Sequence, residues 1–347
     1  MTKYIIRRLI QAIPLIILIT IIVFVLVKVS GDPLAYLAQD PRITEQDRAL
    51  LRVQYGLDDP MPLQFLTWLV GDDWMTRELD WDNDGEIDFT TTGERQGILR
   101  GDLGESIRFS RPVTEVLGEY LPNTLILGAA AYVLTIVLSL SIGIFAALRQ
   151  YSLADNIITA GAFVTYSMPV FLIALILVHV FAVQFHNWGL PSLPVSGMYD
   201  PRGDRSFDEL LRHMVLPVIS LAAISIAGYS RFIRATMLEV INSDYIRTAR
   251  SKGLAERRIV FLHALKNASL PLITLIGLDL PFILSGAVIT ETIFSWPGMG
   301  FMFINALNNL DAPLLVSFVL MIAVAVVLFQ LLTDILYAAL DPRIRYD

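Results

Sequence analysis

Cysteine is absent from this chain of 347 residues, and charged residues make up only 17% of it. Without cysteine there is no disulfide framework, no thiolate nucleophile and no cysteine-bound metal centre. The motifs GxxxxGK[ST], GxSxG, HExxH and CxxC are also missing, so the chain has no P-loop of its own. Four histidines, at 179, 186, 213 and 263, lack the spacing of metal ligands. We therefore expect that the chain is not an enzyme.

Apolar runs dominate the sequence instead. The chain is 55% hydrophobic with a mean hydropathy of +0.60, which is typical of a membrane protein. A helix needs about 20 apolar residues to cross a bilayer. The qualifying runs are Leu9–Val29, Thr124–Leu148, Ile157–Phe185, Val215–Tyr229, Leu270–Ile289 and Ala312–Ala339. We predict an all-α integral membrane protein with six transmembrane helices in the lipid bilayer.

The first run resembles a signal peptide in its basic flank, which contains Lys3, Arg7 and Arg8. However, it reaches about 20 apolar residues, longer than the usual signal core. No small-x-small cleavage motif follows it. We therefore expect a retained span.

Charge is distributed unevenly along the chain. The basic stretch 231–266 falls on the same side as both termini if six spans alternate, which predicts cytoplasmic termini. Nineteen of the 33 acidic residues lie between Gly31 and Pro122, so the negative balance belongs to one outer segment and nothing favours nucleic-acid binding.

The predicted organisation is an N-terminus and first span (1–29), an extracytoplasmic segment (30–123) with an acidic insertion (71–101), a five-span core (124–340) with a cytoplasmic loop (231–270), and a cytoplasmic tail (341–347).

The extracytoplasmic segment contains helix signals. Thr44 and Asp47 have the spacing of a capping box, and Gly56 is placed to end the helix that follows. The run Pro60–Val70 is apolar and amphipathic, so it is suited to pack against the membrane surface or the span mouths.

Alternating carboxylates mark the acidic insertion. The candidate calcium ligands are Asp80, Asp82, Asp84, Glu86 and Asp88. Gly85 stands where a calcium loop bends sharply, and Ile87 stands where such loops bury an aliphatic side chain. The twelfth position is Thr91 instead of glutamate, so Glu94 or another residue would have to complete the site. We predict a structural calcium ion here, with a solvated acidic loop as the alternative.

A basic stretch, DYIRTARSKGLAERR, runs from Asp244 to Arg258 between two apolar runs. One interpretation is that its charges only set the topology and contact lipid headgroups. Its amphipathic flanks, the break at Gly253 and the position of Pro271 favour another. They predict a turn between two short helices that presents basic residues to a cytoplasmic partner.

The stretch YIRTARSKGL…HALKNASLPLIT resembles the so-called EAA loop of ABC importer permeases, most closely the B-type subunit of the dipeptide/oligopeptide family. Arg247-Thr248-Ala249 takes the place of the Glu-Ala-Ala triplet, and the missing glutamate departs from the general pattern but not from this subgroup. Other stretches similar to family signatures are YIIRRLIQAIPLIILITIIVFVLVKVSGDP, YGLDDPMPLQFLTWL, GDLGESIRFSRPVTEVLGEYLPNTL and ETIFSWPGMG. The resemblance covers nearly the whole chain, although 71–101 is longer than is usual in the family.

This resemblance implies a type I ABC importer permease fold in a prokaryotic cytoplasmic membrane. It implies a homologous second permease, two ABC ATPase subunits that bind ATP, and an extracytoplasmic substrate-binding protein as partners. A coupling helix within Asp244–Leu262 would dock on one ATPase. The residues implied in coupling are Tyr245, Arg247, Thr248, Ala249, Arg250, Lys252 and Gly253.

Peptides are the substrate that the resemblance implies, with nickel and oligosaccharides as alternatives in the same family. A stand-alone secondary transporter or channel is the alternative from another class. Ionisable residues inside spans are costly and indicate functional sites. Asp279 is predicted to meet a substrate amine or backbone, with a helix-to-helix hydrogen bond as the alternative. Glu291 is predicted to brace the outer gate or loop.

Overall fold

The computed structural model of the protein describes residues 2–29, 31, 34, 43–81, 87–269, 272, 275, 277, 279, 283 and 287–340, with the side chains of 2–5 and 336–340 left aside. The chain divides into two compact units. The first unit is Met1–Tyr120 with Met302–Val327, and the second is Leu121–Phe301 with Leu328–Asp347.

Helices account for most of the described chain. In chain order they are α1 (Thr2–Val29), α2 (Glu45–Gln54), α3 (Met61–Val70), α4 (Val113–Leu148), α5 (Leu153–Ser167), α6 (Val170–Val178), α7 (Phe185–Asn187), α8 (Phe207–Ile241), α9 (Asp244–Ser251), α10 (Glu256–Arg258), α11 (Leu265–Ala268), α12 (Val288–Ile293), α13 (Met299–Asn308) and α14 (Ala312–Leu340). Two π-helical turns, His179–Gln184 and Ile259–Ala264, join α6 to α7 and α10 to α11.

Within the described residues, five helices are long and apolar enough to cross a bilayer. Their apolar windows are Ile6–Val29, Val113–Leu148, Val170–Asn187, Phe207–Ile241 and Ala312–Ile335. The fifth predicted span, Leu270–Ile289, lies largely outside the described residues. The prediction of six spans therefore stays a prediction.

The third predicted span, Ile157–Phe185, was wrong as a single helix. The chain forms α5 and α6 with a break at Met168 and Pro169, where Met168 has an extended ψ of 135°. Proline disfavours helical backbone in the residue before it, which explains the break. The fourth predicted span, Val215–Tyr229, is the shortest of the six and was expected to extend towards Leu210 or past Arg231. It lies within α8, which begins after a Ser206 cap and continues to Ile241.

Local signals in the first unit were predicted correctly. Thr44 Oγ1 accepts a hydrogen bond from Asp47 N at 3.1 Å, and the Asp47 carboxylate accepts from Thr44 N at 2.9 Å, so the capping box is formed. Gly56 follows the end of α2 with a φ of +60°. Its N–H donates to Val53 O at 3.0 Å, as expected of a glycine that terminates a helix.

Two small hairpins depart from the predicted all-α class. β1 (Thr76–Leu79) pairs antiparallel with β2 (Phe89–Thr92), and β3 (Glu105–Ser106) pairs with β4 (Arg111–Pro112). The Phe and three Thr residues of β2 are residue types that favour strands. Both hairpins lie within the predicted extracytoplasmic segment, so the rest of the described chain keeps the predicted helical class.

A buried ionic network lies within the acidic insertion. The Asp72 carboxylate is fully buried and accepts hydrogen bonds from Arg95 Nε at 2.9 Å and Arg77 Nη1 at 3.0 Å. Burial raises the pKa of Asp72, but the hydrogen bonds from the two arginines outweigh burial and leave this pKa below its usual range. The part of the insertion around Asp72 and Arg95 is therefore packed, since both side chains are committed to one another.

Candidate functional site

The basic segment after α8 folds as two short helical pieces around a turn. α9 ends at Ser251, and helical structure resumes at Glu256 and continues to Ala268. We call the exposed side of Asp244–Ala268 the coupling surface. The predicted pair of short helices is confirmed.

Gly253 terminates α9 through backbone geometry that suits glycine. Its φ is +78°, its N–H donates to Arg250 O at 2.9 Å, and the Leu254 N–H donates to Ala249 O at 3.4 Å. This pair of bonds is a Schellman motif. The glycine thus fixes the angle at which the chain leaves α9, as its position in the sequence predicted.

The inner face of α9 anchors the segment. Ile246 is fully buried and Ala249 is 9% exposed, three residues apart on one face of the helix. Both belong to an apolar cluster that includes Ile233 and Met237 of α8 and Ile259. Ala249 was predicted as a coupling residue, but its burial places it in this anchor and away from the coupling surface.

The remaining predicted coupling residues are exposed. They are Tyr245, Arg247, Thr248, Arg250, Lys252 and Gly253. Arg250 Nε donates to Glu256 Oε1 at 2.6 Å across the turn, and Asn267 Nδ2 donates to the Tyr245 hydroxyl at 3.1 Å. Glu256 and Asn267 were not among the predicted site residues, because each lies beyond the turn and no regular helical spacing relates it to its partner.

A cavity of about 410 Å³ lies in the second unit, and Asp279 and Glu291 both line it. The other lining residues are Thr124, Leu127, Gly128, Ala131, Tyr132, Thr135, Leu221, Ser225, Ile283 and Ala287. No lysine or arginine is among these described lining residues, so the cavity has acidic character. The Tyr229 hydroxyl donates a hydrogen bond to Asp279. Asp279 therefore forms the hydrogen bond that was given as the alternative to a substrate contact, and Tyr229 of α8 is the donor.

Glu291 is fully buried in α12 and caps the start of α13. Its carboxylate accepts hydrogen bonds from Gly300 N at 2.7 Å, Phe301 N at 3.0 Å and Thr124 Oγ1 at 2.9 Å. A Cβ at Gly298 would lie only 2.5 Å from Thr124 Oγ1 and 2.6 Å from Glu291 Cδ, so glycine is required there. The stretch ETIFSWPGMG thus folds into a self-capped corner, in which the glutamate braces a loop.

The predicted calcium ligands Asp82, Asp84 and Glu86 lie outside the described residues, as does Gly85. Asp88 Oδ2 accepts a hydrogen bond from Trp81 N at 2.6 Å, and Thr91 pairs with Arg77 in the β1–β2 ladder. The twelfth position of the predicted loop is therefore in a strand. Ile87 is 54% exposed, which contradicts its expected burial. Among the described residues, no three His, Asp or Glu side chains converge as metal ligands.

Comparison with known proteins covers the whole chain. Residues 139–346 match the family "Binding-protein-dependent transport system inner membrane component", and residues 1–128 match its N-terminal domain family. The oligopeptide transport system permease protein AppB of Bacillus subtilis is 38% identical over an alignment of 348 positions that covers 100% of both chains. The dipeptide transport system permease protein DppB of Escherichia coli K12 is 35% identical, over 100% of this chain and 99% of its own.

A solved structure supports the fold. An inward-facing conformation of the MetNI methionine ABC transporter is similar, with a TM-score of 0.51 and 15% identity over 66% of this chain and 97% of that chain. The expected ABC importer permease fold is thereby confirmed, as is the predicted family. The chain therefore belongs to the family of inner membrane components of binding-protein-dependent transport systems, and it is a multi-pass membrane permease.

Proposed function

We propose that the chain is the pathway subunit of an ATP-driven importer that takes up di- or oligopeptides delivered by an extracytoplasmic binding protein. A homologous second permease would complete the pathway, and two partner ATPases would bind and hydrolyse ATP. The family match supports the importer class. The names of the relatives, oligopeptide and dipeptide permeases, support peptides as cargo.

The coupling surface is the observation that carries this proposal. α9 is anchored through Ile246 in an apolar cluster with α8, while the Arg247 side chain is 72% exposed. A docking element needs both properties, since a force applied to the exposed face must reach a membrane helix without the segment detaching. Burying a side chain such as Ile246 contributes about 1.5–3 kcal/mol, which resists detachment.

ATP would act through this surface. Closure of the ATPase dimer would move the two coupling segments together, one from each permease, and α8 would transmit the movement to the pathway. ATP changes access only if it favours one of the two conformations. The basic residues of the segment support a cytoplasmic position for it and for both termini.

The acidic cavity is the proposed substrate pathway within this subunit. A peptide carries an ammonium group at its amino end, and Asp279 offers a carboxylate within the cavity. Carboxylates inside spans are costly to retain, which favours a functional role. Glu291 is proposed to hold the corner at one end of the cavity in shape, since its oxygens already accept three short hydrogen bonds.

The cargo alternatives are nickel and oligosaccharides, and the alternative class is a secondary transporter or channel. Nickel uptake favours soft or imidazole ligands, which are not among the described residues that line the cavity. A secondary transporter would move substrate without ATPase partners, so assays with and without ATP separate the classes.

Copurification and uptake test the proposal together. The chain is purified with its natural partners and reconstituted in vesicles with a fluorescent dipeptide. Arg247→Glu and Lys252→Glu reverse exposed charges on the coupling surface and should reduce ATPase copurification and ATP-driven uptake. Arg202→Glu, which reverses the charge of another exposed arginine, in the loop before α8, should change neither. Wild-type protein that copurifies with no ATPase, or takes up peptide without ATP, would overturn the importer assignment.

A further inference from the structure

A groove of about 450 Å³ lies between α5 and α8 in the second unit. It shares no lining residue with the acidic cavity of the proposed pathway. Its lining residues are Thr159, Phe163, Tyr166, Gly228, Arg231, Phe232 and Arg234. Two of these described residues are arginines and none is acidic, so the α5–α8 groove has basic character.

Arg231 is the charged residue of this groove that has no counter-charge. Its Cζ lies 4.0 Å from the centroid of the Phe163 ring and 5.7 Å from that of the Tyr166 ring. The side chain is half-buried, and it forms no hydrogen bond or ion pair with a described residue. A guanidinium that stacks on aromatic faces keeps its N–H donors at the edge of its plane. These donors are therefore available to an anion.

Arg234 is the second arginine of the groove, and its charge is already offset. Its Nε and Nη2 donate to the Asp155 carboxylate, whereas its Nη1 donates to no described residue. The ion pair fixes the side chain and leaves part of its hydrogen-bonding capacity unused. The described groove thus has one uncompensated positive charge, that of Arg231.

The position of Arg231 along α8 places the groove near the membrane boundary. The apolar run Val215–Tyr229 ends just before it, and α8 continues ten residues further to Ile241, which is about 15 Å of helix. The proposed cytoplasmic position of the coupling surface, on which this step rests, makes that boundary the cytoplasmic one. Arg231 is also two residues from Tyr229, the partner of Asp279, and about 200° around the helix. The groove therefore faces away from Asp279.

We propose that the α5–α8 groove binds the phosphate group of an anionic membrane lipid of the cytoplasmic leaflet, such as phosphatidylglycerol. The single negative charge of the phosphodiester matches the uncompensated charge of Arg231, and a guanidinium can donate two parallel hydrogen bonds to phosphate. Basic pockets between membrane-spanning helices on the cytoplasmic side are suited to anionic headgroups. Phe163 and Tyr166, which are 51% and 56% exposed, offer apolar surface to an acyl chain. The bound lipid would contact both α5 and α8, the helix that leads into the coupling surface.

Lipid titration of the purified full chain in detergent, followed by native mass spectrometry, tests this assignment. The chain should bind one phosphatidylglycerol molecule more tightly than phosphatidylcholine, because the choline cation offsets the phosphate charge. Arg231→Gln should weaken phosphatidylglycerol binding by about tenfold or more, since charge-assisted hydrogen bonds are lost. Arg231→Lys keeps the charge without the planar donor pair, so its affinity should lie between those of the wild type and Arg231→Gln.

Arg149 provides a matched control. It is exposed just after α4, its Cζ lies 4.9 Å from the centroid of the Phe145 ring, and it does not line the groove. Arg149→Gln therefore removes another arginine that stacks on an aromatic ring and is predicted to be cytoplasmic. Phosphatidylglycerol binding should be unchanged in this variant. Melting temperatures in lipid-free detergent establish that the variants are folded.

Four results would overturn the inference. Equal affinities of the wild type for the two lipids, or undiminished binding by Arg231→Gln, would remove the role of this charge. Displacement of the lipid by millimolar inorganic phosphate would indicate a site for a free anion. Loss of the lipid from the transporter assembled with its partners would show that another subunit covers the groove. The titration needs neither cargo nor ATP, so its failure leaves the proposed function standing, and a failed copurification with ATPases leaves the lipid result standing.

Discussion

The Arg234 guanidinium donates two hydrogen bonds to the Asp155 carboxylate, from Nε at 2.6 Å and from Nη2 at 2.7 Å. The Asp155 side chain is 2% exposed at the start of α5, and Arg234 belongs to α8. The hydrogen bonds from Arg234 hold the pKa of Asp155 below its usual range. This pair therefore joins α5 to the helix that leads into the coupling surface.

Arg234→Met should lower the free energy of unfolding by about 1–3 kcal/mol, because it leaves Asp155 buried without its counter-charge. Adding Asp155→Leu should recover much of this loss, since no unpaired charge then remains. Arg111→Met removes the solvent-exposed pair with Glu119 and should have little effect. Thermal denaturation in one detergent compares the four proteins, and an Arg234→Met loss no larger than that of Arg111→Met would contradict the role of this pair.

Gly253→Ala should weaken the end of α9 by about 1 kcal/mol, because a φ of +78° is unfavourable for any residue with a Cβ. No atom lies within 4 Å of a Cβ built at this position, so the cost comes from the backbone alone. Asn tolerates this region better, so Gly253→Asn should cost less. Gly161→Ala within α5 also meets no atom within 4 Å and should be neutral or stabilising. ATPase copurification ratios should follow the same order, and equal ratios for all three variants would refute the docking role of the turn.

Helix ends were predictable from the sequence where they depend on local hydrogen bonds, as at Gly253 and Thr44. The helix break at Pro169 was not predicted. The caps at Gly253 and Thr44 depend on hydrogen bonds within a few residues, so spacing alone predicted them. The break at Pro169 lies inside an uninterrupted apolar run, and hydropathy does not register the backbone restriction that proline imposes. Helix caps could therefore be predicted from residue spacing, whereas the proline break could not be predicted from hydropathy.

Contacts between residues far apart in the chain could not be predicted from the sequence. Arg234 lies 79 residues from Asp155, and Ser106 lies 205 residues from Asp311, with which it shares a hydrogen bond. One sequence does not reveal which of many polar residues meet when helices pack. The burial of Ala249 was missed for a related reason, since the family motif identifies the segment but the cluster beneath it decides which face is exposed.

Acid should destabilise the first unit through Asp72. Because its folded pKa is below the unfolded value of about 3.9, the carboxylate stabilises the fold above that pH. The contribution is lost as the pH falls through 3.9 towards the folded pKa. Asp72→Asn should cost about 1–3 kcal/mol at pH 7, and the difference from wild type should shrink near pH 3. Measuring the free energy of unfolding of wild type and Asp72→Asn at both pH values tests this. Asp73→Asn, at an exposed residue, is the control. A difference that is independent of pH would count against the assigned network.

Substitutions of Glu291 distinguish a role as a structural brace from a role in contacting the substrate. Glu291→Leu should cost about 2–3 kcal/mol, because Gly300 and Phe301 lose the acceptor for their N–H groups. Glu291→Gln keeps one accepting oxygen and should recover part of that stability together with most of the uptake. If Glu291→Gln instead abolishes uptake while its melting temperature stays near wild type, the carboxylate charge itself contacts the cargo.

Calcium binding to the insertion remains a prediction from the spacing of Asp80, Asp82 and Asp88. Isothermal calorimetry on the full chain should detect calcium binding that Asp82→Ala abolishes. Four residue pairs of the β1–β2 ladder follow Asp88 along β2, and at about 3.3 Å per residue they separate Asp88 from Glu94. Glu94→Gln should therefore leave calcium binding intact, and that result would exclude Glu94 as the substitute for the missing twelfth ligand. Identical traces for wild type and Asp82→Ala would show that the insertion is an acidic loop that holds no calcium.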